Sequence, residues 1–180
     1  MSLLPEPLYA TIEASVPIVC VDFVLVKRRG DGSIGRLGLV RRHSPFGEVW
    51  CHLGGRVRRG DTIGQAITRH LGDALTGTAP DLPADPQPDH VYQWFPDDVA
   101  PSRGTSAHAP DLAHGRDPRK HAIGLTFALE AGGDPVVRPG GEAIEFAYHD
   151  AGALPDPLWP GCEALFARLD AAVRRRPGPA

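Results

Sequence analysis

The sequence predicts an α/β fold in which a mixed sheet lies between helices, an α/β/α sandwich. The first observation is a run of β-branched and other apolar residues at 16–26, which is typical of a central strand. The second is an amphipathic helix within 62–75, where apolar residues recur every three or four positions. The third is a similar apolar stripe at 161–176. We also expect a short helix at 3–15 and strands at 36–42, 49–53, 90–95, 121–130 and 142–149. A link rich in Pro and Asp is expected at 78–88, and a turn at 132–134.

Length and composition indicate one domain, residues 1–180, with a frayed tail at 177–180. The net charge of −3 gives no reason to expect general affinity for nucleic acid or anionic membranes. Three cysteines without a C-x-x-C spacing favour buried free thiols in a reducing cytosol. No apolar run is long enough to cross a bilayer, and the N-terminus does not resemble a signal peptide. We therefore expect a cytoplasmic protein.

A pair of glycines, Gly54 and Gly55, precedes a basic loop and the helix at 62–75. The loop at 56–61 contains three arginines, and Thr62 with Gln65 forms a capping-box pattern at the helix start. Adjacent glycines allow a backbone to approach a neighbouring group closely. This combination of exposed backbone, positive charge and nearby carboxylates predicts a site for a phosphorylated ligand, with or without a metal.

Two further features stand outside this region. Asp22 lies in the middle of the predicted central strand, where a carboxylate must be solvated, paired or functional. Residues 96–120 show no periodicity and form a long loop insert, which is typical of either a functional or a disordered segment. Histidines in and beside the insert allow a zinc site, but their spacing matches no known zinc pattern, so solvated histidines are the preferred interpretation: His90, His108, His114 and His121.

The segment from Trp50 to Gly77 resembles the Nudix box, G-x5-E-x7-R-E-U-x-E-E-x-G-U, in which U is apolar. With Gly55 at the first glycine, Asp61 takes the place of the first Glu, and Arg69 that of the Arg. The box departs from the pattern at several positions, where the expected residues are replaced by His70, Asp73, Ala74 and Thr76.

The similarity extends to the GDP-mannose mannosyl hydrolase branch of the Nudix superfamily and covers nearly the whole chain. Tyr9-Ala10-Thr11, the segment at 15–22 and the segment at 92–98 echo motifs of that branch. Its pattern R-x3-P-x4-W-x3-G-G-R-V is matched without a gap by Arg41, Pro45, Trp50, Gly54, Gly55, Arg56 and Val57. The resemblance implies a Nudix-type α/β/α sandwich, a Mg²⁺ or Mn²⁺ cofactor, a nucleotide-sugar substrate and a homodimer.

The same resemblance implies roles for individual residues. Arg41 and Arg56 would clamp a diphosphate, because guanidinium groups suit phosphate oxygens. Asp22 and His121 would lie at the catalytic face, and His70 would lie near the substrate. The metal would be held by the Gly54 carbonyl and by side chains of Asp73 and Glu142, with Glu142 or Asp22 replacing the missing general base. Ala74 and Ala143 stand where the branch has a metal ligand and that base.

Pairings on the helix remain open at this level. His70 and Asp73 lie one turn apart and would bind a divalent ion or orient each other; alternatively, Asp73 forms an ion pair with Arg69 on the solvent side. Asp61 is expected to pair with Arg69. Glu145 is three residues from Glu142 on one strand, so only one of the two faces the pocket, and we expect Glu142.

Three functions are compatible with these features. The first is a metal-assisted hydrolase of a nucleoside diphosphate sugar or related nucleotide. The second is a Nudix-fold protein that binds a nucleotide without hydrolysing it, because of Ala74 and Ala143. The third is a specialised biosynthetic enzyme that reuses the pocket for other chemistry, with the insert as its lid.

Overall fold

The computed structural model describes residues 4–99 and 114–175. The helices in this part are α1 (Glu6–Ser15), α2 (Ile63–Ala74) and α3 (Cys162–Arg175). The strands are β1 (Ile18–Arg28), β2 (Ile34–Ser44), β3 (Gly47–Cys51), β4 (Leu53–Arg56), β5 (Leu75–Pro80), β6 (His90–Phe95), β7 (Gly115–Arg116), β8 (Ala122–Leu129), β9 (Ala131–Val137) and β10 (Ala143–Asp150). None of the helices described is long and apolar enough to cross a membrane.

The main sheet is mixed, which confirms the predicted fold class. Its strand order is β10-β2-β1-β8-β6-β7, with β3 paired to β2 and β4 paired to β1. β1 runs parallel to β8 and antiparallel to β2 and β4. β1 lies inside the sheet, and all its residues from Cys20 to Val26 are buried, including Asp22. This burial agrees with the apolar run that predicted a central strand.

Helix α2 forms where the sequence predicts it. Its buried stripe consists of Ala66, Ile67 and Leu71. The backbone N–H of Gln65 donates to the Thr62 hydroxyl over 3.2 Å, and the Thr62 N–H donates to the Gln65 side-chain oxygen over 2.8 Å. These two bonds satisfy backbone donors that a helix start leaves unpaired, so α2 begins at a defined residue beside the basic loop.

The region after α2 differs from the expectation of a link at 78–88 and a turn at Gly132–Asp134. Instead, β5 and β9 pair as a two-stranded antiparallel sheet. A Cβ added to Gly77 would lie 2.5 Å from the carbonyl oxygen of Asp134. A Cβ added to Gly133 would lie 2.2 Å from the carbonyl oxygen of Gly77. These glycines therefore serve a close cross-strand approach, and the turn prediction was wrong because the same residue type also marks turns.

The predicted insert at 96–120 is described only in part. Residues 97–99 form a turn of 3₁₀ helix, and Gly115 and Arg116 form β7 beside β6. Residues 100–113, with His108, and the predicted tail at 177–180 lie outside the described residues. The three cysteines, Cys20, Cys51 and Cys162, are free and buried, as the sequence predicts.

Candidate active site

A cavity of about 980 Å³ opens beside β1 and β4. Strand residues form its floor, α1 and α2 form one side, and the segments at 117–120 and 138–143 form the rest. Its size lies at the upper end of the range usual for small-molecule sites, about 300–1,000 Å³. The cavity therefore has room for a ligand as large as a nucleotide with an attached group.

Asp22 lies in the cavity floor with only 4% of its surface exposed. One carboxylate oxygen accepts a hydrogen bond from the Trp94 indole N–H over 3.0 Å, and the other lies 3.8 Å from Nδ1 of His52. At Gly124, an added Cβ would lie 2.1 Å from Oδ2 of Asp22. The carboxylate is thus tightly enclosed by Trp94, Gly124 and the nearby ring of His52.

The paired glycines are required by the protein's own packing. A Cβ at Gly54 would lie 2.1 Å from the Val21 carbonyl oxygen, and at Gly55 it would lie 2.6 Å from the His70 ring. Gly54 also has φ +140°, a conformation that side chains disfavour. The glycines let β4 pack against β1 and α2, which brings Arg56 and His70 to the cavity.

Arg69 holds the α2 side of the cavity together. Its guanidinium bonds Asp61 at 2.7 Å and the Arg56 carbonyl oxygen at 3.2 Å, so the predicted pairing of Asp61 with Arg69 is present. The hydrogen bond from Arg69 holds the pKa of Asp61 below its usual value. Within the described part of the chain, Arg69 has no ion pair with Asp73. That alternative from the sequence is therefore not formed.

His70 and Arg56 both line the cavity. Nε2 of His70 lies 3.0 Å from the Arg56 carbonyl oxygen, and burial of the ring lowers the pKa of His70. The Arg56 guanidinium lies over the ring of Tyr9 on α1, 4.1 Å from its centroid. This contact connects α1 to the basic loop, because the arginine is attracted to the face of the aromatic ring.

The placement of Arg41 corrects the expected clamp. Side chains alternate along β2, so Val40 and Arg42 line the cavity while Arg41 lies on the opposite face. The Arg41 guanidinium pairs there with Glu145 at 3.0 Å and Glu48 at 3.5 Å. Arg41 and Arg56 therefore do not converge on one ligand, and the arginine of β2 that shares the cavity with Arg56 is Arg42.

Another part of the cavity lining consists of paired charges around an indole ring. Arg42 lies 5.5 Å and Arg119 lies 5.2 Å from the Trp159 ring. Arg42 pairs with Glu142 at 3.2 Å, and Arg119 pairs with Asp117 at 2.8 Å. We call these five residues the Trp159 wall. It presents many hydrogen-bonding groups with little net charge.

The residues predicted to hold a metal do not form a binding group. Gly54, Asp73 and Glu142 all line the cavity, but Glu142 is 83% exposed and pairs with Arg42. Among the residues described, no three His, Cys, Asp or Glu side chains are grouped so that they could hold a metal ion. Ala74 and Ala143 also line the cavity, with methyl groups where the resemblance implied a ligand and a base. The donor set therefore does not fit a divalent ion held by the protein alone.

His121 lies beside the site and not in its lining. Its ring stacks on Phe95 with centroids 4.3 Å apart, and Nε2 lies 3.4 Å from the Gln93 side-chain oxygen. Burial lowers the pKa of His121. The cavity is bordered at this corner by Lys120, which pairs with Glu13 of α1 at 3.8 Å. His121 thus borders the cavity without lining it, and a catalytic role for His121 stays a prediction.

The cavity cysteines, Cys20 and Cys51, are buried free thiols. Burial raises the pKa of Cys20 to about 12 and that of Cys51 to about 11. A thiol with so high a pKa stays protonated near neutral pH, and the thiolate is the reactive form. Covalent catalysis through these side chains is therefore not indicated.

Several cavity residues were missed by the sequence analysis. A histidine two residues before the paired glycines, between two short strands, was a usable signal for His52. The alternation of side chains along β2 likewise allowed Arg42, and not Arg41, to face the cavity. The remaining residues come from segments distant in sequence and had no local signal: Asp117, Arg119, Arg138 and Trp159.

Comparison with known proteins supports the fold. A family model described as "Domain of unknown function (DUF4916)" matches residues 3–157. No curated protein matches the chain. Among solved structures, one described as a possible asymmetric diadenosine tetraphosphate hydrolase from Jonesia denitrificans is similar, with 26% identity and a TM-score of 0.68 over 92% of this chain and 99% of that one.

Two further structures show the same fold at lower identity. A MutT Nudix hydrolase from Burkholderia pseudomallei is 17% identical with a TM-score of 0.62, over 86% of this chain and 98% of that one. An ADP-ribose pyrophosphatase from Streptococcus suis is 14% identical with a TM-score of 0.53, over 90% of this chain and 96% of that one. The chain therefore shares the fold of these structures, the Nudix fold.

Proposed function

The chain belongs to the family described as "Domain of unknown function (DUF4916)", and from its Nudix fold and its cavity we propose that it hydrolyses a nucleoside diphosphate sugar. In the proposed reaction, water attacks the anomeric carbon of the sugar and the nucleoside diphosphate leaves. The similar structures are described as hydrolases or pyrophosphatases of nucleotides, and this supports a nucleotide as the substrate class.

The observation that carries the proposal is a set of cavity arginines without a carboxylate partner. Arg56, Arg58 and Arg138 line the cavity, and within the described residues none of them forms an ion pair. Arg138 instead donates to the Gly72 carbonyl oxygen at the end of α2, and Arg56 lies over Tyr9. Positive charge that the protein does not neutralise favours a ligand with several negative charges, such as a diphosphate.

The Trp159 wall supports a neutral polar group as the rest of the ligand. Its guanidinium and carboxylate groups are already paired, so they offer hydrogen bonds without requiring an opposite charge. Trp159 adds an aromatic surface between two of these groups. A sugar, with hydroxyl groups on an apolar ring frame, matches such a surface better than a third charged group would.

A second candidate function is nucleotide binding without hydrolysis. It is favoured by Ala74 and Ala143, which line the cavity where the resemblance expects a metal ligand and a general base. The two functions share the diphosphate site and differ only in turnover. Calorimetry with GDP and UDP, each with and without Mg²⁺, together with a turnover assay, separates them.

The test uses GDP-mannose and UDP-glucose as probes, with release of free sugar as the readout, in Mg²⁺ and in EDTA. Arg56→Gln removes an unpaired cavity charge, and Arg36→Gln removes an exposed charge on the far part of β2 as the matched control. We expect the first variant to weaken GDP and UDP binding at least tenfold and the second to leave it unchanged. Equal binding by both variants would reject the site, and binding without any sugar release would favour the second function.

Two predictions from the resemblance belong to the same experiment. The EDTA arm tests the Mg²⁺ or Mn²⁺ requirement, which the cavity's own donors do not support. Light scattering during size-exclusion chromatography tests the homodimer. A monomeric protein with full turnover would remove the dimer from the proposal and leave the chemistry intact.

A further inference from the structure

Six carboxylates line the cavity of the proposed hydrolase, and three of them have cation partners. Glu142 pairs with Arg42, Asp117 with Arg119, and Glu13 with Lys120. The remaining three are Glu6 on α1, Asp73 on α2 and the buried Asp22. An imidazole beside Asp22 also lines the cavity, and it can accept a proton from water.

His52 is the floor residue whose geometry suits this role. Its ring lines the cavity and its side chain is 16% exposed. Nδ1 faces two acceptors, the Leu53 carbonyl oxygen at 3.0 Å and Oδ1 of Asp22 at 3.8 Å. Two acceptors at one ring nitrogen favour a proton on that nitrogen, which leaves a lone pair on Nε2.

The neighbours of His52 hold the ring in place. Trp94 packs against it with centroids 5.2 Å apart, and the same indole donates its N–H to the second oxygen of Asp22. Within the described residues, Nε2 of His52 has no hydrogen-bond partner and is not among the buried unsatisfied atoms. Nε2 is thus the ring nitrogen that the described part of the chain leaves available to water or a ligand.

We propose that His52 is the general base of this site and that Asp22 is a positioning residue that fixes its tautomer. This inference rests on the proposed hydrolase function. Nε2 takes a proton from water as the water oxygen bonds to the anomeric carbon. The bond from that carbon to the diphosphate oxygen breaks, and the nucleoside diphosphate leaves with the electron pair beside Arg56 and Arg58. The proton on His52 then passes to solvent.

The distance between His52 and Asp22 is longer than a hydrogen bond, as is common for catalytic pairs before a ligand is bound. The role differs from that expected of Asp22 from the sequence alone, where Asp22 was a candidate for the general base itself. Here its buried carboxylate acts through the imidazole.

The test compares His52→Gln with His43→Gln, an exposed histidine at the end of β2 that serves as the control. With GDP-mannose and UDP-glucose as probes, we expect kcat of His52→Gln to fall by about 10²–10⁴-fold, the usual contribution of a general base. The Kd for GDP or UDP should change less than threefold. Retained turnover in His52→Gln with unchanged binding would overturn the base assignment and leave the hydrolase function standing.

A second measurement does not require turnover. Nitrogen-15 NMR of the imidazole reports which ring nitrogen of His52 carries the proton, and we expect the Nδ1–H form in the wild type. Asp22→Asn should raise the fraction of the Nε2–H form and lower kcat without changing the Kd for GDP or UDP. A wild-type His52 in the Nε2–H form would overturn the inference, as would nucleotide binding without any turnover. A wild type that binds neither nucleotide would reject the hydrolase function as well.

Discussion

The carboxylate of Asp22 illustrates how single residues shape this site. It is buried in a central strand, where a carboxylate loses its hydration. The indole N–H of Trp94 and the nearby ring of His52 offset this loss of hydration. The absence of a side chain at Gly124 leaves the space that Oδ2 occupies. Gly124, a glycine inside a strand, is thus required for the placement of the Asp22 carboxylate.

We expect Gly124→Ala to destabilise the protein by about 1–3 kcal/mol, the usual cost of adding atoms to a packed interior. The new Cβ would lie 2.1 Å from Oδ2 of Asp22. Gly132→Ala is the control, because a Cβ there meets nothing within 4 Å. Urea unfolding measures both, and equal stability of the two variants would contradict the packing argument.

Asp117 forms the second buried carboxylate of the cavity, with 8% of its side chain exposed. Burial by itself would raise the pKa of Asp117, but the hydrogen bonds and charge of Arg119 outweigh it and hold that pKa below the usual value. A lowered folded-state pKa contributes stability above the unfolded value of about 3.9, and this contribution is lost as pH falls through the folded-state pKa.

Asp117→Asn should therefore lower the free energy of unfolding at pH 7 by about 1–2 kcal/mol, a value reduced for solvent screening because Arg119 is 44% exposed. The difference from wild type should shrink as pH falls below about 4. Asp134→Asn, at an exposed position on β9, is the control and should show little change at either pH. A difference for Asp117→Asn that stays constant with pH would rule out the ion pair as its source.

At the scale of elements, β2 and β10 decide which charges enter the cavity. A bulge between Ala143 and Glu145 brings Glu145 opposite Arg41. The pair Arg41–Glu145 lies on one face of the sheet, and the pair Arg42–Glu142 lies on the other. One extra residue in β10 thus gives each arginine its own glutamate.

Helix α2 is the other element that builds the site, because it carries Arg69, His70 and Asp73 to the cavity. Its start depends on the capping box of Thr62 and Gln65. We expect Thr62→Ala to cost about 1 kcal/mol, the typical value of an N-cap. Thr68→Ala, at an exposed position inside the same helix, should be neutral or slightly stabilising. Thermal unfolding of the two variants checks the difference, and a Thr62→Ala melting temperature equal to that of Thr68→Ala would contradict it.

At the scale of the whole molecule, the cavity joins parts that are far apart in sequence. α1, β4, α2, the segment at 117–120 and the segment at 138–143 all contribute side chains. A ligand that contacts all of them is bound only by the folded chain and should stabilise it. In the simplest case, a ligand at 100 times its Kd adds about 2.7 kcal/mol to the free energy of unfolding.

We therefore expect GDP or UDP to raise the unfolding midpoint of the wild type, with a smaller effect at high salt because screening weakens attraction to the arginines. Arg56→Gln should lose most of this protection and Arg36→Gln should keep it. Differential scanning fluorimetry at two salt concentrations measures the shift. Full protection of the Arg56 variant would show that the nucleotide binds elsewhere.

Periodicity and local signals were sufficient for much of the fold. β1, α2 and α3 follow from the spacing of apolar residues in short segments, and the capping box of α2 follows from the residue types at its two positions. The pairing of β5 with β9 could not be predicted, because a glycine that permits close strand approach cannot be distinguished by sequence from a glycine in a turn. The sequence identified Asp22 and Arg56 as unusual, but their partners come from distant segments.

Local sequence patterns were enough to place the helices, most strands of the main sheet and the basic loop after the paired glycines, because each depends on neighbouring residues. The folded structure was needed to show that Arg42 and not Arg41 enters the cavity, that His52 lies beside Asp22, and which charges are paired. The facing of a side chain and the neutralisation of a charge depend on strand pairing and on groups that meet across the chain, and local patterns do not contain this information.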